Sequence, residues 1–286
     1  MNTNILKVTK NIGLGLVFGI VVIGLISCES GKEKASKEST PQEVKIGVVG
    51  ANNDVWEYVS KKLEKEEGIK VKLVKFSDYN QPNKALSAGD LDLNSFQHRI
   101  FLENYNEESN DNLTPIGDTV ISPLGIYSDK VKNAKDIKNG GKIIIPNDVT
   151  NEARALNLLE SAGLIKLDPN GGDFPTTKNI KDNPKELDIT PVDASQTARS
   201  IKDADEVIIN SGIAVDAGLI PTKDAIFLEQ VSEKSKPYIN IIVARAKDKD
   251  NEVYKKIVKA YQADDVKNVI KETSKGSSIP AWEDKK

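Results

Sequence analysis

The chain has 286 residues, with 40 basic against 43 acidic side chains, one histidine and one cysteine. A surface without excess positive charge argues against nucleic acid as a partner, which needs clustered basic residues. A single cysteine excludes an internal disulfide framework and, with a single histidine, counts against a transition-metal site.

The first element is a leader. Lys7 and Lys10 precede an unbroken apolar and glycine run from Ile12 to Ile26, and Leu25-Ile26-Ser27-Cys28 closes it. A charged start, an apolar middle and a small residue before a cut form the layout of a secretory signal. The run is short for a transmembrane helix, which needs about 20 apolar residues. Cys28 directly after Leu-Ile-Ser looks like a lipobox, in which the thiol is lipidated and becomes the first residue of the mature chain. An ordinary signal peptide with a chance cysteine is the alternative. Residues 1–27 are therefore expected to be removed, which takes away two lysines and no acid and leaves 38 basic against 43 acidic side chains. Residues 28–42 carry almost nothing apolar and cannot bury enough surface to order themselves. They read as a tether with a mean reach of roughly 20 Å.

The body then alternates strands and helices. Val44–Val49 is a strand, Asn53-Asp54 can cap the helix after it, and Gly68 ends that helix. Ile69–Phe76 alternates apolar and lysine residues as a half-buried strand does. A short helix near Asn83–Ala88 stops at Gly89. Leu91–Asn94 is a short strand feeding a helix near Phe96. This order predicts a parallel sheet with right-handed crossovers. The pattern restarts with strands at Leu124–Tyr127 and Lys142–Pro146, a helix from Asn151 to Ser161 stopping at Gly163, and a loop-like stretch over Asp168–Asp182. Short units follow at Ile189–Val192, Gln196–Ile201 and Glu206–Asn210. Tyr238–Arg245 is a strand, and helices at about 249–261 and 264–273 close the chain. Two α/β lobes, the last segment returning to the first, predict a clamp whose ligand lies between them.

A few polar residues stand out against this frame. Thr150 is a possible N-cap, which would put Arg154 in the first turn of its helix, where a cation opposes the helix dipole. A bound carboxylate would offset that cost. An exposed arginine paired with Glu152 or another acid is the other reading. His98 has three readings: a satisfied, partly buried imidazole, a ligand contact, or a catalytic base. Phe96 is either core or pocket wall, and Tyr79 either a turn aromatic or a pocket wall. Asn210 ends one apolar strand and Asn240 sits inside another. Asparagine is depleted in strands and costs roughly 1–3 kcal/mol if buried unbonded, so both are polar anchors unless they face solvent.

The order and spacing of several stretches carry a resemblance: Val-Lys-Ile-Gly-Val-Val (44–49), Tyr-Asn-Gln-Pro-Asn-Lys-Ala-Leu (79–86), Gly-Asp-Leu-Asp-Leu-Asn-Ser-Phe-Gln-His (89–98), Pro-Leu-Gly-Ile-Tyr-Ser (123–128), Pro-Asn-Asp-Val-Thr-Asn-Glu-Ala-Arg-Ala-Leu (146–156) and Pro-Tyr-Ile-Asn-Ile-Ile-Val-Ala-Arg (237–245). From about Glu43 to Trp282 the chain resembles the methionine-binding lipoproteins of ABC importers, the NlpA lipoprotein family. The resemblance implies a bilobed, periplasmic-binding-protein-like α/β fold of type II, its two α/β domains joined by a two-segment hinge, with lobe I over 43–122 plus 240–286 and lobe II over 123–239. It implies a monomer, lipid-anchored through Cys28 on the extracytoplasmic side of a membrane, that delivers L-methionine to an ABC permease. Tyr79, Phe96 and His98 would line the pocket, Arg154 would clamp the substrate carboxylate, and Asn210 and Asn240 would fix the α-amino and carboxylate groups. No cofactor, metal or catalytic residue is implied. The chain departs from the family at Ser211-Gly212-Ile213-Ala214, where a small or polar pair and then Tyr-Ala is often found, and at Arg99-Ile100-Phe101-Leu102, where Pro-Tyr-Leu is common after one variable residue. A methionine-containing dipeptide and another amino acid are the alternative ligands. An exported hydrolase using His98 is the rival class, but no Gly-x-Ser-x-Gly elbow, P-loop or dinucleotide fingerprint stands in the right context.

Overall fold

The computed structural model describes residues 42–282. The leader, Cys28 and the tether up to residue 41 lie outside the described residues. Gln42, expected at the end of the tether, is already the first residue of a strand.

In chain order the principal elements are β1 (Gln42–Val49), α1 (Asp54–Glu67), β2 (Ile69–Phe76), α2 (Pro82–Ala88), β3 (Leu93–Asn94), α3 (Arg99–Ser109) and β4 (Leu113–Asp118). Then come β5 (Gly125–Tyr127), β6 (Lys142–Pro146), α4 (Val149–Ser161), β7 (Asp188–Val192), β8 (Glu206–Ile209), α5 (Ser211–Asp216) and β9 (Phe227–Leu228). β10 (Ile241–Arg245), α6 (Glu252–Tyr261) and α7 (Asp264–Thr273) complete the set. The strands form two five-stranded sheets, ordered β2-β1-β3-β10-β4 and β7-β6-β8-β5-β9. In each, the fourth strand runs against the other four. The parallel pairing expected of the first βαβαβ unit holds for β1, β2 and β3, β6, β7 and β8 pair in the same way, and the fourth strand makes each sheet mixed.

Both sheets are covered on both faces, which is why their central strands read as unbroken apolar runs. Along β10, Ile242 and Ala244 join a core with α1, α6 and α7, while Ile241 and Val243 join one with Leu86, Leu91, Leu102 and Leu113. Along β6, Ile143 and Ile145 pack with α4 through Ala155, Leu156 and Leu159, while Ile144 faces Val207, Ile209 and Ala214. The period-2 alternation of a strand thus feeds two cores at once.

The chain passes from the first sheet to the second after β4 and returns before β10, and the two passages are hydrogen-bonded. Asn240 N–H donates to the Val120 carbonyl and Thr119 N–H to the Asn240 carbonyl, both at 2.8 Å. The expected strand starts late, with β10 beginning at Ile241 rather than Tyr238. Tyr238 instead ends a 3-10 turn over Glu233–Tyr238. The stretch over 168–182, read as loop, also holds a strand at Ile180–Asp182 paired with Lys166–Leu167.

Glu206 opens β8 with no solvent exposure, and neither carboxyl oxygen has a hydrogen-bond partner among the described residues. Burial pushes its pKa from 4.5 up to about 8, only partly opposed by the Lys185 ammonium. The folded state holds a proton that the unfolded chain gives up near pH 4.5, so stability falls as pH rises from there through 8. Glu206→Gln is expected to raise stability by about 3 kcal/mol at pH 7. The gain should vanish near pH 4, and thermal melts at the two pH values check both parts.

Candidate functional site

The segment leaving β3 is set by a buried amide network. Asn83, Asn94 and Gln97 are all buried. The Asn83 amide donates to Gln97 Oε1 at 2.8 Å, Gln97 Nε2 donates to Asn83 Oδ1 at 2.6 Å and to Asn94 Oδ1 at 3.0 Å, and Asn94 Nδ2 donates to Asn83 Oδ1 at 2.9 Å. Every amide in the network finds a partner, so the network fixes one backbone path. That path delivers Phe96 and His98 to the same cavity. The helix expected near Phe96 begins instead at Arg99, because His98 is its N-cap: Nδ1 accepts the Phe101 N–H at 3.1 Å.

This cap decides the imidazole's chemistry. With Nδ1 accepting, the neutral ring carries its proton on Nε2. Burial, with the nearby Arg154 charge, pulls the pKa from 6.5 down to about 3. His98 is neutral throughout the physiological range; the Asn151 side chain nearby opposes the shift in part, and the buried Nε2 makes no hydrogen bond of normal geometry among the described residues. Around it stand four aromatic rings. Phe96 lies 6.0 Å from Tyr79 and 5.8 Å from Phe101, and His98 lies 5.1 Å from Tyr238 (ring centroids).

Arg154 comes from the second sheet's side, on α4. The N-cap of α4 is Asp148, whose carboxylate accepts the Asn151 N–H at 3.0 Å, and not Thr150, whose hydroxyl donates to Asp148 at 3.2 Å. Moving the cap back places Arg154 in the second turn, so the expected conflict with the helix dipole falls away. Its counter-charge is distant in sequence. Nε donates to Glu229 Oε1 at 3.0 Å and Nη2 to Glu229 Oε2 at 2.5 Å, Nη2 also reaches the Ser122 carbonyl at 3.0 Å, and the guanidinium lies 4.3 Å from the Tyr238 ring centroid. The arginine is paired with an acid, but it is buried, and Glu152 is not that acid. Nη1 has no acceptor among the described residues.

Asn210 is the residue before α5 rather than the last residue of β8. Its amide Nδ2 donates to Asn151 Oδ1 at 2.7 Å, and its buried Oδ1 finds no donor among the described residues. Asn240 precedes β10 and forms an antiparallel bridge with His98. Tyr79, Phe96, His98, Arg154, Asn210 and Asn240 all line one cavity of about 550 Å³. Its wall presents two N–H donors (Arg154 Nη1 and His98 Nε2), one orphan acceptor (Asn210 Oδ1) and a bed of aromatic rings. Among the described residues no group of three or more His, Cys, Asp or Glu is placed to hold a metal.

One further contact crosses the cavity mouth. Asp216, at the end of α5, accepts the N–H groups of Ala51 and Asn52, each at 2.9 Å, in the turn after β1. Gly50 opens that turn at φ +89°, and a Cβ there would lie 2.1 Å from Asp216 Oδ2. Sequence reading missed Asp216, Glu229, Asn151 and Tyr238. Asn151 and Tyr238 stood inside noted motifs, and the other two lay in stretches without a local signal.

The NlpA lipoprotein family model matches residues 44–282. This chain belongs to the NlpA lipoprotein family. Among its relatives is the D-methionine-binding lipoprotein MetQ of Salmonella typhimurium, 41% identical over 248 residues, covering 86% of this chain and 90% of the relative. Among solved structures, a nutrient binding protein from Burkholderia cenocepacia bound to methionine is 45% identical, covers 84% of this chain and 100% of its own, and superposes with a TM-score of 0.80. The substrate binding protein of a methionine transporter from Streptococcus pneumoniae is 44% identical, covers 84% of this chain and 96% of its own, with a TM-score of 0.79. The NlpA-family chain thus has the bilobed α/β fold of periplasmic-type substrate-binding proteins.

Proposed function

We propose that this protein captures a free amino acid, L-methionine first, and hands it to an ABC import permease without chemical change. The observation that carries the reading is the set of orphan polar atoms in the cavity. Arg154 Nη1 and the His98 Nε2–H are donors suited to a carboxylate, and Asn210 Oδ1 is an acceptor suited to an α-ammonium. Asn240 completes the polar wall. Tyr79, Phe96 and the neighbouring Phe101 receive the side chain, where a thioether gains about 0.3–1.5 kcal/mol per aromatic contact. The relatives named for methionine support the same ligand.

In this reading lobe I comprises 43–122 plus 240–286 and lobe II 123–239, and the hydrogen-bonded passages at Thr119-Val120 and Asn240 form the hinge. The protein works as a monomer, anchored by lipid at Cys28 on the extracytoplasmic face, with residues 29–41 as its leash. A hydrolase is disfavoured by His98 itself, since an imidazole whose pKa is near 3 is too weak a base for catalysis at neutral pH.

Calorimetry with a panel of amino acids and methionine dipeptides tests the reading. Heat with methionine, and none with aliphatic amino acids of similar size at equal concentration, is expected. No heat with methionine, together with heat from another solute class, overturns it. Because His98 stays neutral, methionine affinity should be flat from pH 5 to pH 8, whereas a contact histidine titrating near 6.5 would put a break there. The same shift makes the fold less stable as pH falls from 6.5 towards 3, so the affinity series belongs above pH 5.

A further inference from the structure

The guanidinium that faces the cavity is not an uncompensated cation. Arg154 is 5% exposed and Glu229 18% exposed at the side chain, and two of the three guanidinium nitrogens are committed to the Glu229 carboxylate. Glu229 is itself held, because its Oε2 accepts the Leu124 N–H at 3.0 Å. The same carboxylate therefore ties α4 to the start of β5, and it leaves Nη1 as the guanidinium nitrogen without a partner among the described residues. The Tyr238 ring covers one face of the guanidinium.

We infer that Glu229 is a specificity-determining residue: it cancels the charge of Arg154 while fixing its orientation, so the cavity takes a zwitterion in preference to a simple anion. The inference rests on the amino-acid reading above and deepens it. A lone buried arginine would attract any carboxylate, and it would attract a ligand without an ammonium group most, since an α-ammonium is repelled by the same charge. With Glu229 in place the pair is neutral. Discrimination then passes to short-range bonds: Nη1 and Nε2–H for the carboxylate, Asn210 Oδ1 for the ammonium. An N-acylated amino acid keeps the first set, but it offers the buried Asn210 Oδ1 only one neutral amide N–H in place of a charged ammonium and adds an acyl group beside it.

The experiment compares methionine with N-acetylmethionine in the wild type, Glu229→Gln and Glu229→Asp, each first checked by circular dichroism. The wild type should prefer methionine. In Glu229→Gln, which keeps the shape and one acceptor but not the charge, the preference should shrink about tenfold. Glu229→Asp keeps the charge on a shorter arm, so it should bind both ligands more weakly with the wild-type preference retained. An unchanged preference in Glu229→Gln, or an equal fall in both variants, overturns the charge role. If Glu229→Gln does not fold, the wild type carries the test through salt: N-acetylmethionine binding should not weaken as salt rises, whereas an uncompensated cation would make it weaken. A wild type that binds no methionine refutes the amino-acid reading instead, so the two failures are distinguishable.

Discussion

Arg154→Ala is expected to lower methionine affinity by about a hundredfold to a thousandfold, the range set by truncating one partner of a buried, hydrogen-bonded charge pair. Two losses combine. The ligand carboxylate loses the Nη1 donor, and Glu229 is left as a half-buried carboxylate with only the Leu124 N–H for company. The second loss is a stability loss of about 3–5 kcal/mol, so calorimetry must be paired with thermal melting. The double change Arg154→Ala with Glu229→Ala separates the two. It should recover much of the melting temperature, because no unpaired charge remains, and recover none of the affinity. Arg154→Lys keeps the charge but cannot bridge Glu229, Ser122 and the ligand at once, so it should fall between. Near-normal binding by Arg154→Ala would remove this residue from the site.

What the sequence disclosed, and what it withheld, follows from the range of the interactions concerned. β2 and β6 fall on the residues their patterns marked, because period-2 alternation and a β-branched run are local properties. α1 ends at Gly68 in the left-handed conformation the glycine announced. Boundaries moved where a second residue competed for a cap. Asp148 and Thr150 can each cap α4, and Asp148 prevails because its carboxylate accepts from both the backbone and the side chain of Asn151. The strand expected from Tyr238 starts only at Ile241, because a 3-10 turn runs to Tyr238 and holds the Ile239 N–H on the Lys236 carbonyl. The six cavity residues were legible chiefly through the family resemblance, since spacing alone left each of them with an ordinary structural reading. Glu229 and Asp216 were not legible at all. Each acts on a partner on a different element, and no local spacing encodes such a pair.

Asp216 sets the last expected result. Its carboxylate reaches from α5 to the turn between β1 and α1, so it joins the two sides of the cavity mouth only when they are together. Hydrogen bonds to a charged acceptor contribute about 1.5–3 kcal/mol each. The closed form is the one that surrounds a ligand, and the apparent affinity scales with the fraction of protein able to close. Asp216→Ala should therefore weaken methionine binding by about ten- to a hundredfold, mainly through faster release, and shift the ligand-bound scattering profile towards a more open form. Gly50→Ala offers the same test from the opposite side, since its φ of +89° and the 2.1 Å approach of a Cβ to Asp216 Oδ2 both forbid the bonded turn. Because both changes break one contact, the double variant should be no worse than the more severe single one, a non-additivity that unrelated damage would not produce. Release rates from stopped-flow measurements give the answer, and unchanged rates in both single variants would show that closure does not depend on this contact.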